Sequence, residues 1–132
     1  MDRPPEGHAS VAAAIRAGLF VAFMYLLMAV WALIFFLPSA CSRRMTTWTM
    51  QTYVKIVFRV LEWMCGTRCE LRGEVPRYPC IVAAKHQSFL DVMMLMLWLP
   101  EPRFVMKRSI LYTPFLGVYA WRLGCIPIDR SK

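Results

Sequence analysis

The chain has 132 residues, 58% apolar and 18% charged, with a formal net charge of +8 and a mean hydropathy of +0.44. An ordinary soluble domain is about 45–50% apolar and about 25% charged, so this composition excludes intrinsic disorder, collagen and a coiled coil and argues against free solubility. Residues 1–37 carry no net charge, and the fourteen basic and six acidic residues of 38–132 hold the whole +8, a basic surface beside an apolar anchor.

Gly18 to Leu37 is twenty residues without a charge. As an α-helix at about 1.5 Å per residue it is about 30 Å long, the thickness of a bilayer's hydrocarbon core. With the Ala-rich stretch before it, the pattern predicts a membrane helix over about 12–37, ended by Pro38. A secretory signal has a shorter apolar run, of about 7–15 residues, and lacks arginines on its far side, so the segment reads as a retained anchor. Arg43 and Arg44 follow at once and place the C-terminal side in the cytoplasm. A full crossing and a re-entrant hairpin with the next helix both fit.

Thr46 to Met64 predicts an amphipathic helix, about 46–64. Gln51, Lys55, Arg59 and Glu62 share one face, and Val54, Val57, Phe58, Leu61 and Met64 fill the other. Trp48 and Trp63 near its ends suit a bilayer interface, and a surface helix packed on a domain would look the same. Residues 1–65 therefore form a membrane-anchoring helical region, and 66–132 a second unit.

In that unit Arg68–Gly73 alternates like a short strand, and Cys80–Ala84 is a continuous apolar run of the kind a buried strand shows. Ser88–Leu99 predicts a helix closed by Pro100 and Pro102, and Phe104–Met106 another strand. Thr113–Pro114 starts a helix that runs to Leu123, with Gly124 as its stop. Cys125–Ile128 is a last strand, which Pro127 confines to an edge or a bulge. The alternation predicts an α/β class with a mixed, partly parallel sheet. The five cysteines, Cys41, Cys65, Cys69, Cys80 and Cys125, are odd in number and lack zinc-site spacing, so they read as reduced thiols and no metal is expected.

The chemistry lies in Ala84-Lys85-His86-Gln87-Ser88-Phe89-Leu90-Asp91. On one continuous helix His86 and Asp91 would be rotated about 500° apart, and on a strand they would face opposite ways. They meet only across a turn. Ser88 supplies one as an N-cap, leaving His86 in the strand-to-helix turn and Asp91 in the first helical turn. A carboxylate on one imidazole nitrogen fixes the tautomer, and the other nitrogen is then a base near neutral pH. Ser88-x-x-Asp91 also matches a capping box, in which Asp91 serves only the helix start.

Lys85–Asp91 resembles the H-x4-D block of the lysophospholipid acyltransferase family, the bacterial 1-acyl-glycerol-3-phosphate acyltransferases. The likeness continues through Phe104–Leu111, Pro114–Gly117 and Gly124–Arg130, blocks in the family's order across about residues 67–132. The resemblance implies a glycerolipid-acyltransferase-like αβ domain with His86 as general base and Asp91 as its partner. The base would deprotonate the 2-hydroxyl of 1-acyl-sn-glycerol 3-phosphate for attack on the thioester of acyl-CoA or acyl-carrier protein, without a covalent acyl-enzyme or any cofactor. It implies Arg130 as the first candidate for the substrate phosphate, with Lys107 and Arg108 behind it; these two read equally as a solvated basic turn. Membrane lipid is the expected partner, at the cell inner membrane with the catalytic region on the cytoplasmic side.

The family's downstream E-G-T-R-like block and the proline-containing apolar block after it have no match in this sequence. The chain is accordingly expected to be the N-terminal portion of such an enzyme, with an exposed sheet edge and incomplete substrate binding. Another lysolipid or glycerol 3-phosphate as acceptor, and a non-enzymatic small membrane protein, are the alternatives. Nucleic acid is excluded as a partner, because the basic residues are interspersed with apolar ones and form no recognised binding module.

Overall fold

A computed structural model describes residues 11–85, 87–113 and 116–129. The expected roles of His86, Pro114 and Arg130 lie outside the described residues. In chain order the elements are α1 (Val11–Cys41), α2 (Arg43–Cys65), α3 (Phe89–Trp98), β1 (Val105–Lys107), a 3-10 turn (Arg108–Tyr112), α4 (Leu116–Leu123) and β2 (Ile126–Ile128).

Helix α1 passes through Pro38 rather than stopping before it. Proline lacks the amide that would bond one turn back, so its place inside a helix is normally costly. Side chains of α2 hold the last turn instead. The Thr46 hydroxyl donates to the Ser39 carbonyl at 2.8 Å, and the buried Ser39 hydroxyl donates to Thr49 Oγ1 at 3.3 Å. Ser42, in extended conformation, is the whole connection to α2, which starts three residues earlier than the periodicity predicts. A single connecting residue folds the two helices into an antiparallel hairpin. Two bonds tie it further down: Trp31 Nε1 to the Thr49 carbonyl at 3.1 Å and Tyr53 Oη to the Met24 carbonyl at 3.0 Å.

The core is the seam of this hairpin. Phe20 and Met24 of α1 meet Tyr53, Val54, Val57 and Leu61 of α2, and Met93, Met96 and Leu123 close it from α3 and α4. Each such side chain contributes roughly 1.5–3 kcal/mol by leaving water. The polar positions of α2 fall where the periodicity puts them: Lys55, Arg59 and Glu62 are exposed and Gln51 is half-buried.

Strands β1 and β2 pair in parallel, with Val105 opposite Ile126, Met106 opposite Pro127 and Lys107 opposite Ile128. Among the described residues this pair is the whole sheet, in place of the larger mixed one expected. Neither Arg68–Gly73 nor Cys80–Ala84 is a strand. A strand needs a hydrogen-bonded neighbour, and among the described residues β1 and β2 bond each other and neither of these segments. Ile81, expected in the core, is fully exposed.

Between the strands the chain makes the 3-10 turn, which the sequence does not announce, and then α4. Gly124 ends α4 at φ +74°, a conformation glycine takes without strain.

Candidate active site

Helix α3 starts as its sequence directs. Ser88 is its N-cap, in extended conformation, and Asp91 stands at the third helical position of a capping box. Asp91 Oδ2 accepts the amide of Gln87 at 2.6 Å and that of Ser88 at 2.8 Å. The Ser88 hydroxyl lies 3.4 Å from Oδ1. The carboxylate thus holds the two residues that follow position 86 and puts negative charge at a helix N-terminus, where the dipole favours it. The capping arrangement foreseen as the alternative role of Asp91 is present; what Asp91 does for His86 lies outside the described residues.

Lys107 ends β1, Arg108 begins the 3-10 turn, and both are exposed. Because the strands are parallel, Lys107 and Ile128 finish at the same edge. Carboxyl ends of parallel strands are where open α/β sheets bind ligands. Among the described residues no hydrogen bond or ion pair joins Asp91 to Lys107 or Arg108.

Two packing roles in the unit around this site were not read from the sequence. A Cβ at Gly117 would overlap the Leu111 carbonyl oxygen, so only glycine lets α4 pack against the 3-10 turn. The Pro114-x-x-Gly117 spacing was the available signal. The second is Arg43, foreseen only as a topology signal. Its Nη2 donates to the Leu123 carbonyl at 3.0 Å and so caps the C-terminus of α4 just before β2. Cys125 lies between them. Burial pushes its thiol above the ordinary range, against the opposing pull of a backbone hydrogen bond at Phe104 and the charge of Arg43. A raised thiol is a poor nucleophile at neutral pH.

The acyltransferase family model matches residues 67–132, half of the chain, and the chain belongs to that family. It is 31% identical over 127 residues to the 1-acyl-sn-glycerol-3-phosphate acyltransferase of Pseudomonas aeruginosa, a match covering 93% of this chain and 49% of that protein. It is 36% identical over 78 residues to the enzyme of the same name from Saccharomyces cerevisiae, covering 57% of this chain and 26% of the relative. To the human 1-acyl-sn-glycerol-3-phosphate acyltransferase alpha it is 31% identical over 83 residues, covering 60% and 29%. The chain therefore spans about half the length of the bacterial relative and between a quarter and a third of the other two. No solved structure matches it.

Proposed function

We propose that the chain carries the catalytic portion of an acyltransferase that moves a fatty acyl group from acyl-CoA or acyl-carrier protein to the 2-hydroxyl of 1-acyl-sn-glycerol 3-phosphate, forming phosphatidic acid. The observation that carries this reading is the likeness to the Pseudomonas relative along 93% of the chain, which takes in the H-x4-D block, the Lys107–Arg108 turn and the hairpin alike.

On this reading the His86 imidazole accepts the hydroxyl proton as the oxygen attacks the thioester carbonyl. The thiolate of the donor leaves, and the imidazolium returns its proton to it. Asp91 steadies the imidazolium. Its capping bonds do not oppose this role: Oδ2 takes the two amides, and a carboxylate accepts on both oxygens. Lys107 and Arg108, at the carboxyl edge of β1, meet the acceptor's phosphate together with Arg130, the residue that the family resemblance puts first. The reaction uses no protein nucleophile, which suits the raised thiol of Cys125. A general base of this kind supplies about 10²- to 10⁴-fold.

The apolar helix supports membrane association, and the basic Arg43 and Arg44 after it favour the anionic cytoplasmic face, which we take to be that of the inner membrane. Acyl transfer is tested by thiol release on membranes carrying the chain, with 1-acyl-sn-glycerol 3-phosphate against glycerol 3-phosphate and other lysolipids. Turnover with the first and its loss in His86→Ala, with membrane association kept, is the expected result. Normal turnover in His86→Ala rejects the base.

A further inference from the structure

At the far end of α3 from Asp91, an open cleft of about 570 Å³ lies between the start of α2 and the loop after α3. Ten helical residues, about 15 Å at about 1.5 Å each, separate it from the capping box. Its size falls within the usual range of small-molecule sites, about 300–1,000 Å³.

The walls carry both signs of charge. Arg43, Arg44 and Trp48 come from α2, Glu101 from the loop after α3, and Leu123 from the end of α4. Arg43 is fixed in place by its bond to the Leu123 carbonyl, and its guanidinium has five donors in all, so others remain for a ligand. Among the described residues the ion pairs are Glu62–Arg68 and Glu70–Arg72, so the charges of Arg43, Arg44 and Glu101 are not spent on one another. Trp48 is half-exposed and lies edge-on to Phe35 of α1, with ring centroids 5.9 Å apart. A second, apolar groove lined by Ser42, Arg44, Met45 and Trp48 adjoins it, sharing Arg44 and Trp48.

We propose that this cleft binds the headgroup of an aminophospholipid. The phosphate lies on Arg43 and Arg44, the primary ammonium donates to the Glu101 carboxylate beside the Trp48 indole, and the acyl chains leave along the apolar groove of Met45 and Trp48 that shares Arg44 with the cleft. A glycerol headgroup satisfies the arginines and offers Glu101 neutral hydroxyl donors but no positive charge. A choline headgroup has no N–H to give Glu101.

The test is native mass spectrometry of the full chain in detergent micelles, with phosphatidylethanolamine, phosphatidylglycerol and phosphatidylcholine of identical acyl chains at equal concentration. Wild type should retain the ethanolamine lipid about threefold to fivefold over the others, the size an exposed ion pair supplies. Glu101→Gln should erase the preference over choline lipid. Arg44→Gln should lower retention of all three alike, and Arg59→Gln, exposed on α2 away from the cleft, should change nothing. Equal retention of the three lipids, preference for the glycerol lipid, or indifference to Glu101→Gln overturns the proposal. Equal competition by free O-phosphoethanolamine overturns the lipid as the source. A failed acyl-transfer assay leaves this result untouched, since none of these residues belongs to that site.

Discussion

Asp91 does two jobs that a single substitution separates. As a cap it satisfies the amides of Gln87 and Ser88, and caps of this kind are worth about 1 kcal/mol. As the proposed partner of His86 it governs the rate. Asp91→Asn keeps an acceptor oxygen for the amides and removes the charge, so stability should fall by about 1 kcal/mol or less. Turnover should fall about 10²-fold or more. Thermal unfolding in detergent and acyl transfer, measured on the same preparation, check the split; activity that falls only in step with stability leaves the cap alone. The cap was legible in the sequence because its chemistry is local: Ser88 and Asp91 stand three residues apart, and nothing distant is needed to join them. The Arg43 bond to Leu123 was not, because eighty positions separate its ends.

Helices were easier to read than strands for the same reason. The period of α2 is written in Gln51, Lys55, Arg59 and Glu62, and the three charged ones are exposed as that period requires. Pro38 misled because the bonds that carry α1 past it come from Thr46 and Thr49 on another helix. The apolar run Cys80–Ala84 misled because an apolar run fixes neither a partner nor a register. One junction is testable at this scale. Gly117→Ala puts a methyl against the backbone of Leu111, which cannot swing aside, and should cost about 1–3 kcal/mol, read as a lowered melting temperature. Gly18→Ala is its control. No atom lies within 4 Å of the added carbon, and the exchange in mid-helix should be neutral or stabilising by up to about 1 kcal/mol.

In the whole molecule, α1 cannot be wrapped by lipid on every side. Tyr53 occupies its Met24 carbonyl, and Tyr119 of α4 reaches Ala32 at 3.4 Å, both within the apolar run. The face left over carries Leu19, Leu26, Val30, Leu33 and Leu37. Driving α1 straight through a bilayer would draw Lys55 and Arg59 of α2 in beside it, at about 2.5–3.5 kcal/mol for each. The hairpin should therefore lie in one leaflet, with its apolar face in lipid and the polar face of α2 in water. In sealed vesicles, a protease added outside should remove an N-terminal tag and cut at exposed Arg77 from the same side; protection of one and not the other means that α1 crosses. The clasp from Arg43 to Leu123 also sets an order of assembly. The hairpin's bonds join residues at most 29 positions apart, whereas the clasp and the Tyr119 contact span 80 and 87. During synthesis the anchor can close as soon as α2 has emerged, while its seat on the rest of the protein must wait for α4. A ribosome stalled between the two would leave an anchored but unclasped chain, its Arg43 still facing solvent.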